Sequence, residues 1–437
     1  MYMMKKLLIL SSVVLLASCH TSLNKMTLLR SPEKLSHQFS YSELNNAEYL
    51  TFKEKMKLVS SKLSDSLISR EFKEDKNITF SPLSIELCLG LAVSGSSDET
   101  REELLSIFDI DYQTFNNYYK TYFNNLSFER KMDNKTIGQM LLTNSIWIDN
   151  DIKLKDSGLD NLRDNYYCYS YQADFDNDNK NSNKAIQEFI KDKTKGLINP
   201  QLDFSKETLF VLLNTLYLKD MWNYLGEDLS YTTEPIKFTN RNGEESKKKL
   251  LEGYYNEGRA IYQDDYSYFY TSTNSGLKLY FVKPHEGKDL KNIFNKTSMD
   301  YVLNNKNMVY QDDVKLERYH TKVIFPEFKA ESNLDIQNIL KEDFNVKTLF
   351  DINKCKFSNL TDLPLYCSDI KHIAKLEVNK KGIEGAAITA MAMAGNAGPI
   401  EDPYTDVFET FVVDKEFGFI ITYSDAVIFS GTVTNID

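Results

Sequence analysis

Cysteine and histidine, the residues that most often carry out covalent or metal chemistry, are few in this chain. Their spacing is not that of a catalytic or metal-binding site. The 437 residues include five cysteines and five histidines. They contain no Cys-x-x-Cys pair, no His-Glu-x-x-His, no glycine-rich phosphate loop and no Gly-x-Ser-x-Gly elbow. Those are the local patterns of metal, nucleotide and acyl-transfer sites. We therefore expect no metal, no cofactor and no enzymatic activity.

Cys19 is the cysteine whose surroundings indicate a reaction. Lys5 and Lys6 precede an apolar run over residues 7–17, which is too short to span a bilayer but suits the centre of a signal peptide. The run ends in Leu-Ala-Ser-Cys at 16–19, which resembles the lipobox of bacterial lipoproteins. We expect residues 1–18 to be a lipoprotein signal peptide and the Cys19 thiol to carry a lipid. An ordinary signal peptide followed by a chance cysteine is the alternative.

The lipid on Cys19 would fix an exported protein to the cell envelope. His20 follows the cysteine, where a retention Asp would keep an enterobacterial type of lipoprotein at the inner membrane. We therefore expect attachment to the outer membrane, with the periplasmic or the cell-surface side left open. No other stretch approaches the apolar length of a membrane span, so attachment would depend on lipid alone.

Composition restricts the partners and the number of domains. Lys and Arg number 52 against 63 Asp and Glu, which gives a net charge of −11. Nucleic acid is therefore not expected as a partner, because phosphate binding needs clustered positive charge. Apolar residues make up 42% of the chain and no Pro/Gly/Ser tract interrupts it. We expect one large folded domain that acts as a monomer.

The distribution of apolar residues predicts an α+β domain. Residues 19–48 are polar and without a sustained period, so we interpret them as a tether, and residues 49–437 as the domain. Ser81 can cap a helix whose near-continuous apolar run predicts burial on most sides. Strands are predicted at 141–148, 209–218, 277–282, 323–325, 417–423 and 427–433, and the apolar segment 209–218 should lie in the middle of a sheet. Helices precede most strands, as in α+β folds.

Two further cysteine features stay open at this point. Cys88 lies in the apolar helical run and is most simply a small buried hydrophobic residue. Cys355 and Cys367 are 12 residues apart in an exported chain, so a disulfide is one alternative, but spacing alone does not supply its geometry.

A series of motifs, taken in order, resembles the serpin family over nearly the whole mature chain. The matching segments are residues 77–85, 194–198, 213–222, 378–389, 411–417 and 431–433. Asp220 departs from the family pattern, which usually has glycine there. The resemblance implies a large mixed sheet with further smaller sheets, about eight to nine helices, and an exposed reactive-centre loop at about 380–410.

The resemblance also implies a mechanism. In serpins the exposed loop is bait for a serine or cysteine protease, which forms an acyl-enzyme, and the cut loop then inserts into the large sheet. The hinge of that loop matches eight consecutive residues here: Gly382, Ile383, Glu384, Gly385, Ala386, Ala387, Ile388 and Thr389. Strand alternation would place Ile383, Gly385, Ala387 and Thr389 on one face and Glu384 on the other. A helix or a plain linker is the alternative for this Ala-rich segment.

Counting along the loop predicts the bond that a protease would cut. Serpin inhibitors usually have fifteen residues from the hinge glycine to the residue before the cut, which from Gly382 ends at Asn396. Asn396–Ala397 is therefore the expected reactive bond. Met391, Met393 and Ala394 are alternatives that would suit an elastase-like or cathepsin-like protease.

The resemblance assigns other residues structural roles. The shutter, a polar cluster beneath the point where the sheet opens, corresponds to Asn77, Ser81, Pro82, Ser84, Asn214 and His372. Trp222 corresponds to the tryptophan of the breach, at the top of that opening. Individually satisfied core polar groups and a simple core aromatic are the respective alternatives.

Two functions follow for the whole chain. The leading one is a suicide-substrate inhibitor of serine or cysteine endopeptidases that forms a covalent acyl complex with its target. The other is a non-inhibitory serpin that serves as a surface binding or adhesion module. Ile383 stands where inhibitors usually have Thr or Ser, and Gly385 where they usually have Ala, so the hinge composition leaves both functions open.

Overall fold

The computed structural model describes residues 22–35, 39–222, 229–305, 311–312, 314–367, 370–383 and 403–436. Within these ranges the α-helices are α1 (Tyr41–Leu44), α2 (Ala47–Glu71), α3 (Pro82–Gly95), α4 (Asp98–Phe108), α5 (Tyr112–Leu126), α6 (Asp156–Tyr166), α7 (Asn179–Lys193), α8 (Leu290–Ile293), α9 (Lys296–Asn304) and α10 (Gln337–Glu342). Eight of these ten are longer than four residues, in agreement with the eight to nine expected, and α1 and α8 have four residues each. None of the described helices is long and apolar enough to cross a membrane.

Strands follow the same chain order. They are β1 (Thr27–Arg30), β2 (Ile78–Phe80), β3 (Phe128–Met132), β4 (Lys135–Asp149), β5 (Cys168–Ala173), β6 (Phe210–Met221), β7 (Ser230–Tyr231), β8 (Ile236–Thr239), β9 (Glu245–Lys248), β10 (Leu251–Glu257), β11 (Ile261–Tyr262), β12 (Tyr266–Ser272), β13 (Lys278–Pro284), β14 (Gln311–Asp312), β15 (Glu317–Phe325), β16 (Phe328–Asp335), β17 (Lys371–Asn379), β18 (Gly382–Ile383), β19 (Thr405–Val412), β20 (Phe417–Tyr423) and β21 (Ala426–Val433).

The large sheet is mixed, as expected. Its eight strands run in the order β1-β5-β4-β6-β18-β17-β16, with β3 paired to β4. The β4–β5 pair is parallel and the β4–β6 pair antiparallel. Strand β6 lies in the middle, which confirms the prediction from its apolar sequence. Sheets of six, five and two strands complete the α+β fold.

The two faces of the large sheet bury different clusters. Helix α3 packs against β6 and also against β21 of the six-stranded sheet, and all its residues except Cys88 are buried. Its N-terminus is capped by Ser81, whose hydroxyl accepts the Ser84 N–H at 3.2 Å. On the opposite face, α7 covers an aromatic cluster around Trp147 and Tyr171. Both faces of the large sheet are therefore covered by helices.

Two interpretations of the sequence need correction. Residues 19–48 are not a tether throughout, because β1 pairs with β5 at the edge of the large sheet. The loop expected over 380–410 ends earlier, since β19 begins at Thr405 and pairs in parallel with β15.

The cysteines also differ in part from expectation. Cys355 and Cys367 are buried but are not joined by a disulfide. Cys88 is only partly buried, because its side of α3 borders a groove in the sheet.

Candidate functional site: a groove between β6 and β17

The hinge enters the large sheet at one end. Strand β17 ends at Asn379, and after a turn the two residues of β18 pair with β17 on one side and β6 on the other. Gly382 has φ +149°, and a Cβ there would lie 2.1 Å from the carbonyl oxygen of Asp220. Glycine is therefore required at this position by both conformation and space.

Ile383 shows which face of the sheet the loop would fill. Its side chain is 0% exposed and belongs to the main core on the α3 side. The apolar side chain is thus fully accommodated where related inhibitors usually have a hydroxyl. Glu384, Gly385, Ala386, Ala387, Ile388, Thr389, Asn396 and Ala397 lie outside the described residues.

Beyond β18 the sheet contains a groove. Among the described residues, β6 and β17 form no backbone ladder with each other. The space between them is bordered by segments 212–216 and 370–373, by Ser84 and Cys88 of α3, and by Ile186 of α7. Because α3 and α7 lie on opposite faces, the groove passes through the sheet. It leaves a cavity of about 50 Å³ between the two strands.

Four of the residues assigned to the shutter meet beside this groove. The Ser81 N–H donates to His372 Nε2 at 3.1 Å, and Ser84 Oγ donates to the Asn214 carbonyl at 3.5 Å. Burial lowers the pKa of His372 to about 4, so the ring is neutral at neutral pH and can accept. The cluster links α3 to both walls of the groove.

The other two shutter residues have separate roles. Pro82 occupies the first turn of α3 and is buried, where its fixed φ suits a helix start. Asn77 Oδ1 accepts the N–H groups of Thr434 and Asn435 at 2.9 and 3.2 Å. Its hydrogen bonds therefore hold the C-terminal segment rather than the network around Ser81.

Sequence reasoning missed the continuation of this network. Asn214 Nδ2 donates to Asn144 Oδ1 at 2.9 Å, and Asn144 Nδ2 donates to the Tyr119 hydroxyl at 3.0 Å. The Tyr119 hydroxyl donates to the Leu87 carbonyl of α3 at 2.9 Å. An Asn inside the apolar segment 141–148 was the available signal, since a buried amide needs partners.

Trp222 closes the end of the groove near the hinge. Its indole N–H donates to the Asn379 carbonyl at 2.9 Å, which joins the end of β6 to the end of β17. The ring is 1% exposed and packs edge-on against Phe325 at 5.5 Å. Trp222 is thus a buried core aromatic that also connects β6 to β17 at the position where the resemblance places the breach.

Asp220 places a buried carboxylate directly opposite Ile383. It is 1% exposed and accepts hydrogen bonds from the Thr273 hydroxyl and from the Ser275 N–H and hydroxyl, the last two at 3.1 and 3.0 Å. A Cβ on Gly138 would lie 2.3 Å from Asp220 Oδ1, so the neighbouring strand leaves space for the carboxylate. Burial raises the pKa of Asp220 to about 6, although these hydrogen bonds oppose the shift.

This shift predicts an unusual pH dependence. Because the folded pKa lies above the ordinary value of 3.8, the folded state holds the proton more tightly. Stability should therefore fall as pH rises from about 4 to 6, by up to about 3 kcal/mol from this group. We expect Asp220→Asn to remove that component when urea midpoints are measured from pH 4 to 7.5. The exposed control Asp176→Asn should show the same pH dependence of stability as the original chain. If Asp220→Asn also kept that pH dependence, Asp220 would not be its source.

The large mixed sheet, the smaller sheets and the helices around them, with a short hinge strand entering the large sheet at one end, are the architecture of the serpin fold. A family model described as "Serpin (serine protease inhibitor)" matches residues 55–436. The chain belongs to the serpin family, whose members are generally protease inhibitors, although some are non-inhibitory.

Individual relatives are distant. Iripin-1 of Ixodes ricinus is 25% identical over 378 residues, covering 83% of this chain and 90% of the relative. The native structure of Tengpin, a thermophilic serpin, is similar with a TM-score of 0.70 at 20% identity, covering 94% of this chain and 100% of Tengpin. The structure of thyroxine-binding globulin in complex with thyroxine is similar with a TM-score of 0.67 at 20% identity, covering 86% of this chain and 98% of that globulin. These structural similarities establish the fold alone.

Proposed function

We propose that this serpin is a suicide-substrate inhibitor of serine or cysteine endopeptidases, which acts by cleavage and insertion of its own loop. The observation that carries the proposal is the groove between β6 and β17, at whose end the hinge residues Gly382 and Ile383 already form a strand. The second candidate function is a non-inhibitory binding module, and the protease panel described below distinguishes the two functions.

The chemistry is that of an interrupted proteolysis. The protease nucleophile attacks the carbonyl of the residue before the cut, an acyl bond forms, and the peptide amine leaves with the proton from the catalytic base. Water would normally hydrolyse the acyl bond. Here the freed hinge side of the loop enters the groove first and carries the attached protease with it, before water can release the enzyme.

The walls of the groove favour an incoming strand. Asn214 Oδ1 and Thr215 Oγ1 are buried without a protein hydrogen-bond partner in the described part of the chain. Such atoms cost roughly 1–3 kcal/mol each, and a strand could satisfy them. The new strand would also add ladder hydrogen bonds to β6 and β17. Insertion therefore has a free-energy source within the fold.

The loop sequence suits entry into a packed sheet. Between residues 382 and 394, Glu384 is the only ionisable residue, and most of the others are Gly, Ala or Met. Small and apolar side chains avoid the cost of burying unpaired charge. The full burial of Ile383 supports this for the first inward position.

The expected reactive bond is Asn396–Ala397, and it can be identified from the fragment that is released when the covalent complex forms. Incubation with a protease panel followed by denaturing electrophoresis should reveal a covalent complex with at least one enzyme. Mass spectrometry should then find a released fragment that begins at Ala397. Asn396→Asp should slow complex formation, whereas Met393→Gln should not.

Two other results are informative. A fragment that begins after Met391 or Met393 would move the bond and change the target class. Cleavage by many enzymes without any covalent complex would favour the binding module over the inhibitor.

We further propose that the protein is exported and held at the outer membrane by lipid on Cys19. Support comes from the signal-like residues 1–18 and from the small residues that precede the cysteine. An inhibitor in this position would protect the envelope against proteases from outside the cell.

A further inference from the structure

The hinge strand sets the register in which the loop would continue into the groove. Ile383 pairs antiparallel with Asp220 of β6 and with Val378 of β17. On their outer sides, β6 and β17 keep a continuous register against β4 and β16. In a strand that continues from β18, each further residue of the loop therefore lies opposite the preceding residue of both β6 and β17.

Two positions of such a strand have polar groups on both walls of the groove. Counting from Ile383, position 384 lies between Lys219 and Glu377. Position 389 lies between Asn214 and His372. At each of the other positions from 383 to 390, at least one of the two wall residues is aliphatic or aromatic.

The polar side chains of the loop coincide with these two positions. Over residues 383–390, Glu384 and Thr389 are the polar side chains of the loop. Alternation places position 389 on the same face as position 383, which is the α3 side, where the network around Asn214 also lies. A shift by two residues, the smallest that keeps every side chain on its face, would place Thr389 between apolar residues: Leu216 and Ala374, or Leu212 and Ile370.

Asn214 presents an acceptor to position 389. Asn144 Nδ2 donates to the Tyr166 carbonyl at 2.7 Å, and a carbonyl can only accept, so Asn144 directs Oδ1 toward Asn214. Asn214 Nδ2 donates to that oxygen at 2.9 Å. Asn214 Oδ1 is therefore directed away from β4 and toward the groove that Asn214 lines. Within the described part of the chain, this buried oxygen has no hydrogen-bond partner.

The opposite wall leaves Asn214 as the acceptor for a hydroxyl. His372 Nε2 already accepts the Ser81 N–H at 3.1 Å, whereas a threonine hydroxyl carries one proton to donate. We propose that Asn214 Oδ1 accepts the Thr389 hydroxyl in the inserted strand, and that this contact fixes the register of insertion. The inference rests on the proposed function, because it names a contact that loop insertion makes at the shutter.

Binding of a synthetic peptide tests this contact. The probe is a fluorescent peptide with the sequence of residues 382–394, added to the uncut chain of residues 19–437, and its dissociation constant is measured by fluorescence anisotropy. The Thr389→Val peptide keeps the shape of the side chain and loses the hydroxyl. We expect it to bind about fivefold more weakly than the original peptide, because a buried acceptor is left without a donor. The Thr389→Ser peptide keeps the hydroxyl and should bind within about twofold of the original.

A change in the wall of the groove completes the comparison. In Asn214→Ala the original and Thr389→Val peptides should bind equally, because the acceptor is gone. The peptides meet the same folded protein, so their comparison does not depend on the folding of a variant. Equal binding of all three peptides to the original chain would overturn the Thr389 contact and leave loop insertion standing. If no peptide binds, the groove does not accept a strand, and loop insertion is contradicted together with the contact.

Discussion

Gly385→Arg is expected to abolish the stable covalent complex with a target protease while leaving cleavage of the loop intact. Ile383 faces the α3 side of the sheet and is fully buried, so alternation directs residue 385 to the same side in the inserted strand. An unpaired guanidinium there costs at least several kcal/mol. If about 1.4 kcal/mol of that cost appears in the barrier to insertion, insertion slows tenfold. Hydrolysis of the acyl bond would then be faster than insertion, and the protease would be released.

Glu384→Arg is the matched control. It introduces the same side chain one position away, on the face that alternation directs away from α3. The ratio of protease consumed in complex to inhibitor cleaved should change far less than for Gly385→Arg. Equal complex formation by Gly385→Arg and the original chain would mean that inhibition does not use insertion.

Cys19→Ala is expected to release the protein from membranes almost completely. Two or more acyl chains give stable attachment, whereas the described helices offer no membrane span. The measurement is fractionation of cells into membrane and soluble material after a salt wash. Cys88→Ala, which removes a thiol inside the fold, should remain with the membrane. If Cys19→Ala also remained with the membrane, the lipoprotein proposal would be contradicted.

Long apolar runs made the core elements predictable. Helix α3, with Ser81 at its cap, and the central strand β6 follow from sequences that can only be buried on most sides. Strand β20 matches the predicted 417–423 at both ends. Strand β15 was predicted only at 323–325, because its first six residues are polar and mostly half-buried. Propensity and pattern thus identified the elements whose residues are almost all buried.

The site was less predictable because it depends on contacts between distant residues. Asp220 could be recognised as a departure from the family pattern, but its partners lie 53 and 55 residues away. The shutter cluster was assigned by resemblance, and its extension through Asn144 needed the register of β4 against β6. Which pair of strands separates is a property of the packed sheet. No local pattern could locate the groove.

The most direct test of insertion is the thermal stability of the protein before and after its loop is cut. A non-target protease that cleaves the loop and leaves the rest intact frees the hinge to fill the groove between β6 and β17. Our account predicts that the unfolding midpoint, followed by circular dichroism, rises clearly above that of the uncut protein, because the new strand adds hydrogen bonds to both β6 and β17. The same treatment of Gly385→Arg should raise it much less. An unchanged or lower midpoint in the cleaved original protein would contradict loop insertion.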